Sequence, residues 1–267
     1  MTDSWVRTRR DGLLVEGVDA MTYLHSQLSQ EVRDLQVGQS RWTLVLVPTG
    51  HVEVLARLWR RGDQQFVLDT ETGFGPTMQA QLAKFMIRVK ATLTEVELQA
   101  LEPVPPVSDE LSLEGAVVGW WEQGTVLLDE SAPALPDEAS EGSLDELEHA
   151  RVAAGWPVMG REIEPGERLP AELGVSSVAV NFTKGCYPGQ ELVERMASRG
   201  AKAPRQLRRL DVADGAAAGD PIELNGAEVG RLTSVAGRQA LGFVKRNADI
   251  GEPVTPDLTP GPQSTEL

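Results

Sequence analysis

Cysteine is nearly absent from this chain: one residue in 267. An internal disulfide is therefore excluded, and no zinc framework of paired cysteines is available. Histidine is almost as scarce. His25, His51 and His149 are scattered along the chain and none shows metal-ligand spacing, so no metal site is expected. There are two tyrosines against six tryptophans. No apolar run approaches the roughly eighteen residues of a membrane span, and the start, Met1-Thr2-Asp3-Ser4-Trp5, lacks the charged-then-apolar pattern of a signal peptide. No P-loop and no Gly-x-Gly-x-x-Gly is present, so nucleotide binding has no support. Gly-x-Ser-x-Gly is missing too, which argues against an α/β-hydrolase. Base is short relative to acid, 25 side chains against 40, for a net charge of −15. Phosphate neutralisation drives general nucleic-acid binding, so direct nucleic-acid affinity is expected to be weak. A soluble cytoplasmic chain without a membrane partner is the expectation, and nothing patterned for self-association stands out against a monomer.

What is present is long enough for two or three small domains, with 41% hydrophobic and 24% charged residues. Val6 to Val15 suggests a strand pair turning at Asp11-Gly12. Asp19 reads as the N-cap of a helix through about Ser29, with Met21, Leu24 and Leu28 on one face. Trp42–Val47 and Val52–Trp59 read as antiparallel strands about Pro48-Thr49-Gly50-His51, the second half-buried. Gly75-Pro76 opens a helix through about Arg88, with Met78, Leu82, Phe85 and Met86 inside. Val89–Val96 reads as a strand. Ala116–Trp121 and Thr125–Leu128 pair as a hairpin, and Ser131–Gly142 reads as a mobile linker. Ser143 and Glu146 form a capping box before a helix that stops at Gly155. Beyond Pro204, turns at Asp214-Gly215, Asn225-Gly226 and Ala236-Gly237 suggest a small β-barrel over 204–248, followed by a loose tail over 249–267. The class is α+β with antiparallel sheets.

The single cysteine lies in Lys184-Gly185-Cys186-Tyr187-Pro188-Gly189-Gln190-Glu191. Tyr187-Pro188-Gly189-Gln190 reads as a type II turn, because Pro fixes φ at the first central position and Gly supplies positive φ at the second. A helix from Gln190 to Arg199 follows, with Glu191 and Arg195 in the favourable i,i+4 order. Lys184 two residues before the thiol, together with a helix N-terminus after it, favours thiolate. A lone cysteine is commonly a small buried hydrophobe instead. The flanking Lys, Gly and Pro-Gly argue for a shaped loop, and the residues by themselves leave the two readings level.

The segment Lys-Gly-Cys-Tyr-x-Gly-Gln-Glu resembles the signature of the YgfZ-type folate-binding family, which is related to the aminomethyltransferase of the glycine cleavage system. Arg151-Val152-Ala153-Ala154-Gly155-Trp156-Pro157 and Asn181-Phe182-Thr183-Lys184 resemble that family's run-up to the signature. Leu24-His25-Ser26-Gln27-Leu28-Ser29-Gln30-Glu31-Val32 resembles its opening helix, and Ala240-Leu241-Gly242-Phe243-Val244 its final domain. The resemblance implies a three-domain ring. Two intertwined ferredoxin-like domains, roughly 1–48 with 143–203 and 49–142, are joined by the C-terminal barrel around a tetrahydrofolate or one-carbon derivative. It implies a role in assembly or repair of iron–sulfur proteins, including a radical enzyme that modifies tRNA, with folate and iron–sulfur client proteins as partners. Its essential cysteine maps to Cys186. On this reading Cys186 and Lys184 are the chemical pair, with Lys184 lowering the thiol pKa. Tyr187, Gln190, Glu191, Arg195, Arg199 and Trp156 surround the folate, with the arginines holding its carboxylates; Trp42, Trp59 and Trp156 are the candidates to stack on the pterin, with core packing the commoner use of any one of them. Two departures speak against aminomethyl transfer. Val54 or Leu55 stands where the aminomethyltransferase carries an Asp, and Ala153 where it carries the Glu that grips the pterin. The alternatives are a true folate-dependent aminomethyltransferase or demethylase, and a non-catalytic adaptor for iron–sulfur clients.

Overall fold

The computed structural model describes residues 4–104, 115–198 and 203–254. The chain opens with one long strand, β1 (Ser4–Glu16), not a hairpin. Asp11-Gly12 continues straight through it, because both edges of β1 are occupied. β4 (Gln65–Glu71) pairs along one edge and β5 (Thr92–Val104) along the other, both antiparallel. A Cβ on Gly12 would lie 2.6 Å from the Leu98 side chain, so the glycine serves a close crossing inside the sheet. α1 (Ala20–Gln27) follows and ends two residues earlier than its apolar spacing predicts. Asp19 does not cap it by side chain; its Oδ2 accepts from the Lys90 N–H at 2.8 Å and ties the start of α1 to the approach to β5.

β2 (Ser40–Leu46) and β3 (Val52–Gly62) form the expected antiparallel pair, but β3 is covered on both faces from Val54 to Trp59. The helix α2 (Gly75–Ala83) stops short of Arg88. Met78 and Leu82 are buried, while Phe85 is 40% exposed in the loop that follows. β6 (Ala116–Val118) and β7 (Thr125–Asp129) make the expected hairpin, with Trp120–Glu122 as a 3₁₀ turn at its tip. The Ser131–Gly142 linker is part of the packed body: Leu135 and Ala139 lie against Trp5, Leu101 and Leu127, and β8 (Ser140–Glu141) joins β1 in parallel. The main sheet thus runs β2-β3-β4-β1-β5-β7-β6. Strands on both sides of position 48 belong to it, so the two expected subdomains share one sheet.

The capping box is made as read: Ser143 Oγ accepts from Glu146 N, and Glu146 accepts from Ser143 N at 2.7 Å. It starts α3 (Leu144–Ala154), which Gly155 closes at φ +71°. The short helices α4 (Pro170–Leu173) and α5 (Ser176–Ala179) lead to α6 (Gln190–Ser198). Then come β9 (Arg205–Asp211), β10 (Pro221–Leu224), β11 (Ala227–Ala236), β12 (Gln239–Lys245) and β13 (Glu252–Pro253) in the order β10-β11-β12-β9-β13. Among the described residues this is a five-stranded antiparallel sheet in which the outer strands β10 and β13 do not pair with each other. In the tail expected to be loose from 249, Glu252–Pro253 pair with β9 and Val254 is buried in the main core; residues beyond 254 lie outside the described residues.

A single large core joins the parts. Leu207, Leu241 and Phe243 of the C-terminal sheet pack into the same cluster as Leu13, Trp42, Val54, Leu58 and Trp156. Polar bolts reinforce it. Arg151 of α3, buried, donates to Glu162 Oε2 at 3.0 Å, to the Trp156 carbonyl at 2.7 Å and to Ser234 Oγ of β11 at 2.6 Å. Glu162 in turn accepts from Thr233 and Ser234. Each buried charge therefore has its partners, the condition under which such groups are tolerated inside a protein. No helix among the described residues is long and apolar enough to cross a membrane.

Candidate functional site

The signature loop is built from its two ends. On the N-terminal side, Asn181 Oδ1 accepts from Thr183 N, Thr183 Oγ1 and Lys184 N at 2.9–3.0 Å, a side-chain turn of the kind Asn makes readily. Asn181 N donates to the Ser29 carbonyl, and Ser29 Oγ donates to the Ala179 carbonyl at 2.6 Å. The chain just after α1 thus clamps the chain just before the signature. On the C-terminal side, the type II turn is present: Gly189 has φ +80° and Gln190 N reaches the Tyr187 carbonyl at 3.3 Å. Gly189 and Gly50, at φ +84°, meet backbone to backbone. A Cβ on Gly189 would stand 2.8 Å from Gly50 Cα and 2.7 Å from the Val47 carbonyl oxygen. The β2–β3 turn therefore receives the signature turn only because both residues lack side chains.

Between these anchors Gly185 and Cys186 are exposed, while Lys184 before them and Tyr187 after them are buried. Lys184 and Tyr187 are buried at 7% and 6% exposure. The Lys184 ammonium donates to the carbonyls of His25 and Leu28, the unsatisfied oxygens at the end of α1, and lies 5.0 Å from the Tyr187 ring centre. Lys184 therefore caps a helix and fastens the loop to it; thiol activation is not what its contacts show. Burial pushes its pKa down to about 8. The Tyr187 hydroxyl is buried with no hydrogen-bond partner, and burial, with Glu194 adding to it, pushes the phenol up to about 12.

The Lys184 shift gives a stability test. The unfolded lysine titrates near 10.4, above its folded value. Between pH 8 and 10 the unfolded chain therefore binds more protons, and wild-type stability rises with pH across that window. Lys184→Met is expected to lack that slope in urea unfolding at pH 8, 9 and 10. Parallel curves for the two proteins would contradict the buried ammonium.

The other predicted site residues are dispersed. Gln190 turns back on its own helix, donating to Glu194, and its Oε1 accepts from Tyr187 N at 3.3 Å. Arg195 and Glu191 pair with each other at 2.7 Å on the exposed face of α6. Arg199 lies outside the described residues. Trp156 is withdrawn from any stacking role: it is fully buried, with ring centres 4.6 Å from Trp42 and 5.0 Å from Trp121. Trp42 and Trp59 are buried as well. Val54 and Leu55 have no exposure and belong to the apolar core.

Of the cavities formed by the described residues, two stand out by the chemistry of their walls. An apolar groove of about 310 Å³ runs between α4 and α6, with Phe182, Leu192 and Met196 along it. A polar cavity of about 400 Å³ lies where β1, the end of β4 and α3 meet, lined among others by Arg9, Glu71, Glu102, Trp120 and Arg161. Neither is lined by Cys186, Lys184, Tyr187, Gln190, Glu191, Arg195 or Trp156. A folate joins a flat ring that donates hydrogen bonds to an anionic tail. An indole, two carboxylates and two exposed arginines match that chemistry, so the polar cavity fits the cofactor the resemblance implies. Nothing in the signature points to this set; its members come from β1, β4, β5, the turn at the tip of the β6–β7 hairpin and the loop after α3.

The fold is that of an aminomethyltransferase of glycine cleavage. The solved aminomethyltransferase T from Bartonella henselae superposes with a TM-score of 0.74 at 18% identity, covering 91% of this chain and 78% of that one. No family model matches the chain. Its curated relatives include an uncharacterized protein of Haemophilus influenzae, 29% identical across 82% of this chain and 79% of that protein. They also include the human mitochondrial iron–sulfur cluster assembly factor IBA57, 26% identical across 90% and 74%. The Escherichia coli tRNA-modifying protein YgfZ is 24% identical across 82% and 75%. These relatives and the structural neighbour support a YgfZ-type family related to the glycine cleavage aminomethyltransferase.

Proposed function

We propose that this chain supports the assembly or repair of iron–sulfur proteins, presenting Cys186 to its client while holding a tetrahydrofolate. The observation that carries the reading is the exposed cysteine set between two buried side chains, Lys184, hydrogen-bonded to the end of α1, and Tyr187: a reactive group displayed on a fixed mount. The relatives named for iron–sulfur assembly and tRNA modification supply the client class. In this proposal the polar cavity binds the folate: Glu71 and Glu102 accept from the pterin, Trp120 faces its ring, and Arg9 and Arg161 take the tail carboxylates. The folate supplies a one-carbon or redox-active ring when bound; the residues around it bind and orient it. Aminomethyl transfer is disfavoured because apolar Val54 and Leu55 stand where its carboxylate is needed, and Ala153 replaces the pterin-gripping Glu.

The test is complementation in cells lacking the protein, read as iron–sulfur enzyme activity. Cys186→Ala is expected to fold with an unchanged melting temperature and to rescue nothing; full rescue would remove the thiol from the mechanism. Calorimetry with tetrahydrofolate, on wild type and Arg161→Ala, tests the cofactor. Binding by wild type that weakens about tenfold in the variant is expected, the size of one lost charged hydrogen bond. No heat with wild type would leave the adaptor reading.

A further inference from the structure

The Cys186 loop has an ionisable neighbour that takes no part in anchoring it. His25, at the end of α1, keeps its side chain 12% exposed, with Nδ1 2.9 Å from Glu31 Oε1 in a charge contact that lacks hydrogen-bond geometry. Its other nitrogen faces the signature: Nε2 would lie 3.7 Å from a Cβ placed on Gly185, the residue before the cysteine. Glu31 is itself fixed. Its Oε1 accepts from the N–H groups of Val32 and Arg33 at 3.1 and 3.0 Å, and the Arg33 guanidinium spans both carboxylate oxygens at 3.1 Å. Those bonds push its carboxyl down to about 2, so Glu31 is a permanent anion at neutral pH. An anion on the Nδ1 side keeps the proton there and leaves the Nε2 lone pair toward the loop. Burial, with Lys184 acting in the same direction, holds the imidazole below its ordinary range, and Glu31 opposes them.

We propose that His25, oriented by Glu31, is the proton acceptor for Cys186. This rests on the reading of Cys186 as the working thiol. In this proposal the exposed Sγ–H passes its proton to Nε2 through one bridging water. The S–H bond breaks, its proton moves to Nε2, and the electron pair stays on sulfur as thiolate. The imidazolium that forms is balanced by Glu31. Carboxylate, imidazole and thiol in that order are the arrangement by which a weak nucleophile is activated. The charged groups facing His25 are Glu31, Arg33 and Asp34 from the segment after α1 and Lys184 from the signature loop. Lys184 becomes a positioning residue: by bonding the His25 carbonyl it sets the distance between the base and the thiol.

The single cysteine makes the test clean, since uptake of iodoacetamide, followed by mass, reports Cys186 alone. The sulfur displaces iodide, and the pH dependence of the rate reports where the thiol proton goes. Wild type is expected to show a base-assisted limb that appears as pH rises through the imidazole titration. His25→Gln should lose that limb and react about tenfold more slowly at pH 7, a modest general-base contribution. Glu31→Gln should keep the limb but move it to lower pH, because the anion that raises the imidazole is gone. A His25→Gln profile superimposed on wild type, in a variant of unchanged melting temperature, overturns the proposal. Should that variant not fold, the NMR titration of His25 in wild type decides, before and after alkylation. A shift on capping the thiol is expected, and an identical titration overturns the proposal. Neither readout involves a client protein, so failure of complementation and failure of the base are separate results.

Discussion

Asp69→Ala is expected to lower the unfolding free energy by about 3–5 kcal/mol, the cost of breaking a buried ion pair from one side. Asp69 has no exposure and sits on β4 directly opposite Arg57 of β3. Arg57 grips it in a fork, Nε to Oδ1 and Nη2 to Oδ2, both 2.9 Å, and Arg10 of β1 donates to the same carboxylate from the other side. One carboxylate thus serves three adjacent strands. Without it, Arg57 keeps only the Val118 carbonyl and its position 5.3 Å from the Trp42 ring centre, and Arg10 keeps two 3.4 Å contacts with Glu71. Two buried guanidinium groups would be left undercompensated, which costs more than the pair itself is worth. Burial alone would raise the Asp69 carboxyl; the charges of Arg57 and Arg10 outweigh it and hold it below the usual range. Its stabilisation is therefore full above the unfolded Asp value, near 3.9, and is lost as pH falls through the lower folded value. Urea unfolding at pH 7 and at pH 3 measures both parts, and the variant should show the shallower acid dependence. A loss below about 1 kcal/mol at pH 7 would mean that the network is a surface-like pair.

Gly189→Val is expected to cost about 2–4 kcal/mol and to release the signature turn from the β2–β3 turn. A β-branched residue at φ +80° is strained by itself, by about 1–2 kcal/mol, and the new Cβ would meet two backbone atoms inside 3 Å. Backbone cannot step aside as a flexible side chain can, so the two turns must separate. Differential scanning calorimetry reads the stability. Limited proteolysis between Phe182 and Gln190 reads the release, with cleavage expected in the variant and not in wild type. Gly189→Ala removes the branching and should cost less while moving in the same direction. A valine variant that melts with wild type and resists cleavage would show that the turns do not touch as described.

Local chemistry carried much of the fold in advance. The Pro188-Gly189 turn, the capping box at Ser143, the Glu191–Arg195 pair and the β6–β7 hairpin each depend on residues within a few positions of one another. The errors all come from distance. Asp11-Gly12 has turn composition, yet it lies in mid-strand because β4 and β5 bind its two edges. The Ser131–Gly142 linker has the composition of a loop, yet Leu135 finds an apolar seat between strands.

The site divides along the same line. That Cys186 stands in a shaped loop is written in its own octapeptide, since Pro and Gly restrict the backbone wherever they occur. Which groups stand next to that loop is not written there. Lys184 is two residues from the thiol, but its four-carbon stem carries the charge away to the end of α1. Trp156 lies in a family-like run, but its ring is enclosed by Trp42 and Trp121, brought in from residues far along the chain. His25 and Glu31 sit some 150 residues before the cysteine, and no periodicity joins them to it. The sequence by itself determined the signature turn, the Ser143 cap, the β6–β7 hairpin and the acidic balance, and it carried the family resemblance. Only the tertiary structure decided which face of the loop is open and what surrounds the sulfur, because those depend on contacts between segments whose separation along the chain carries no information about their separation in space.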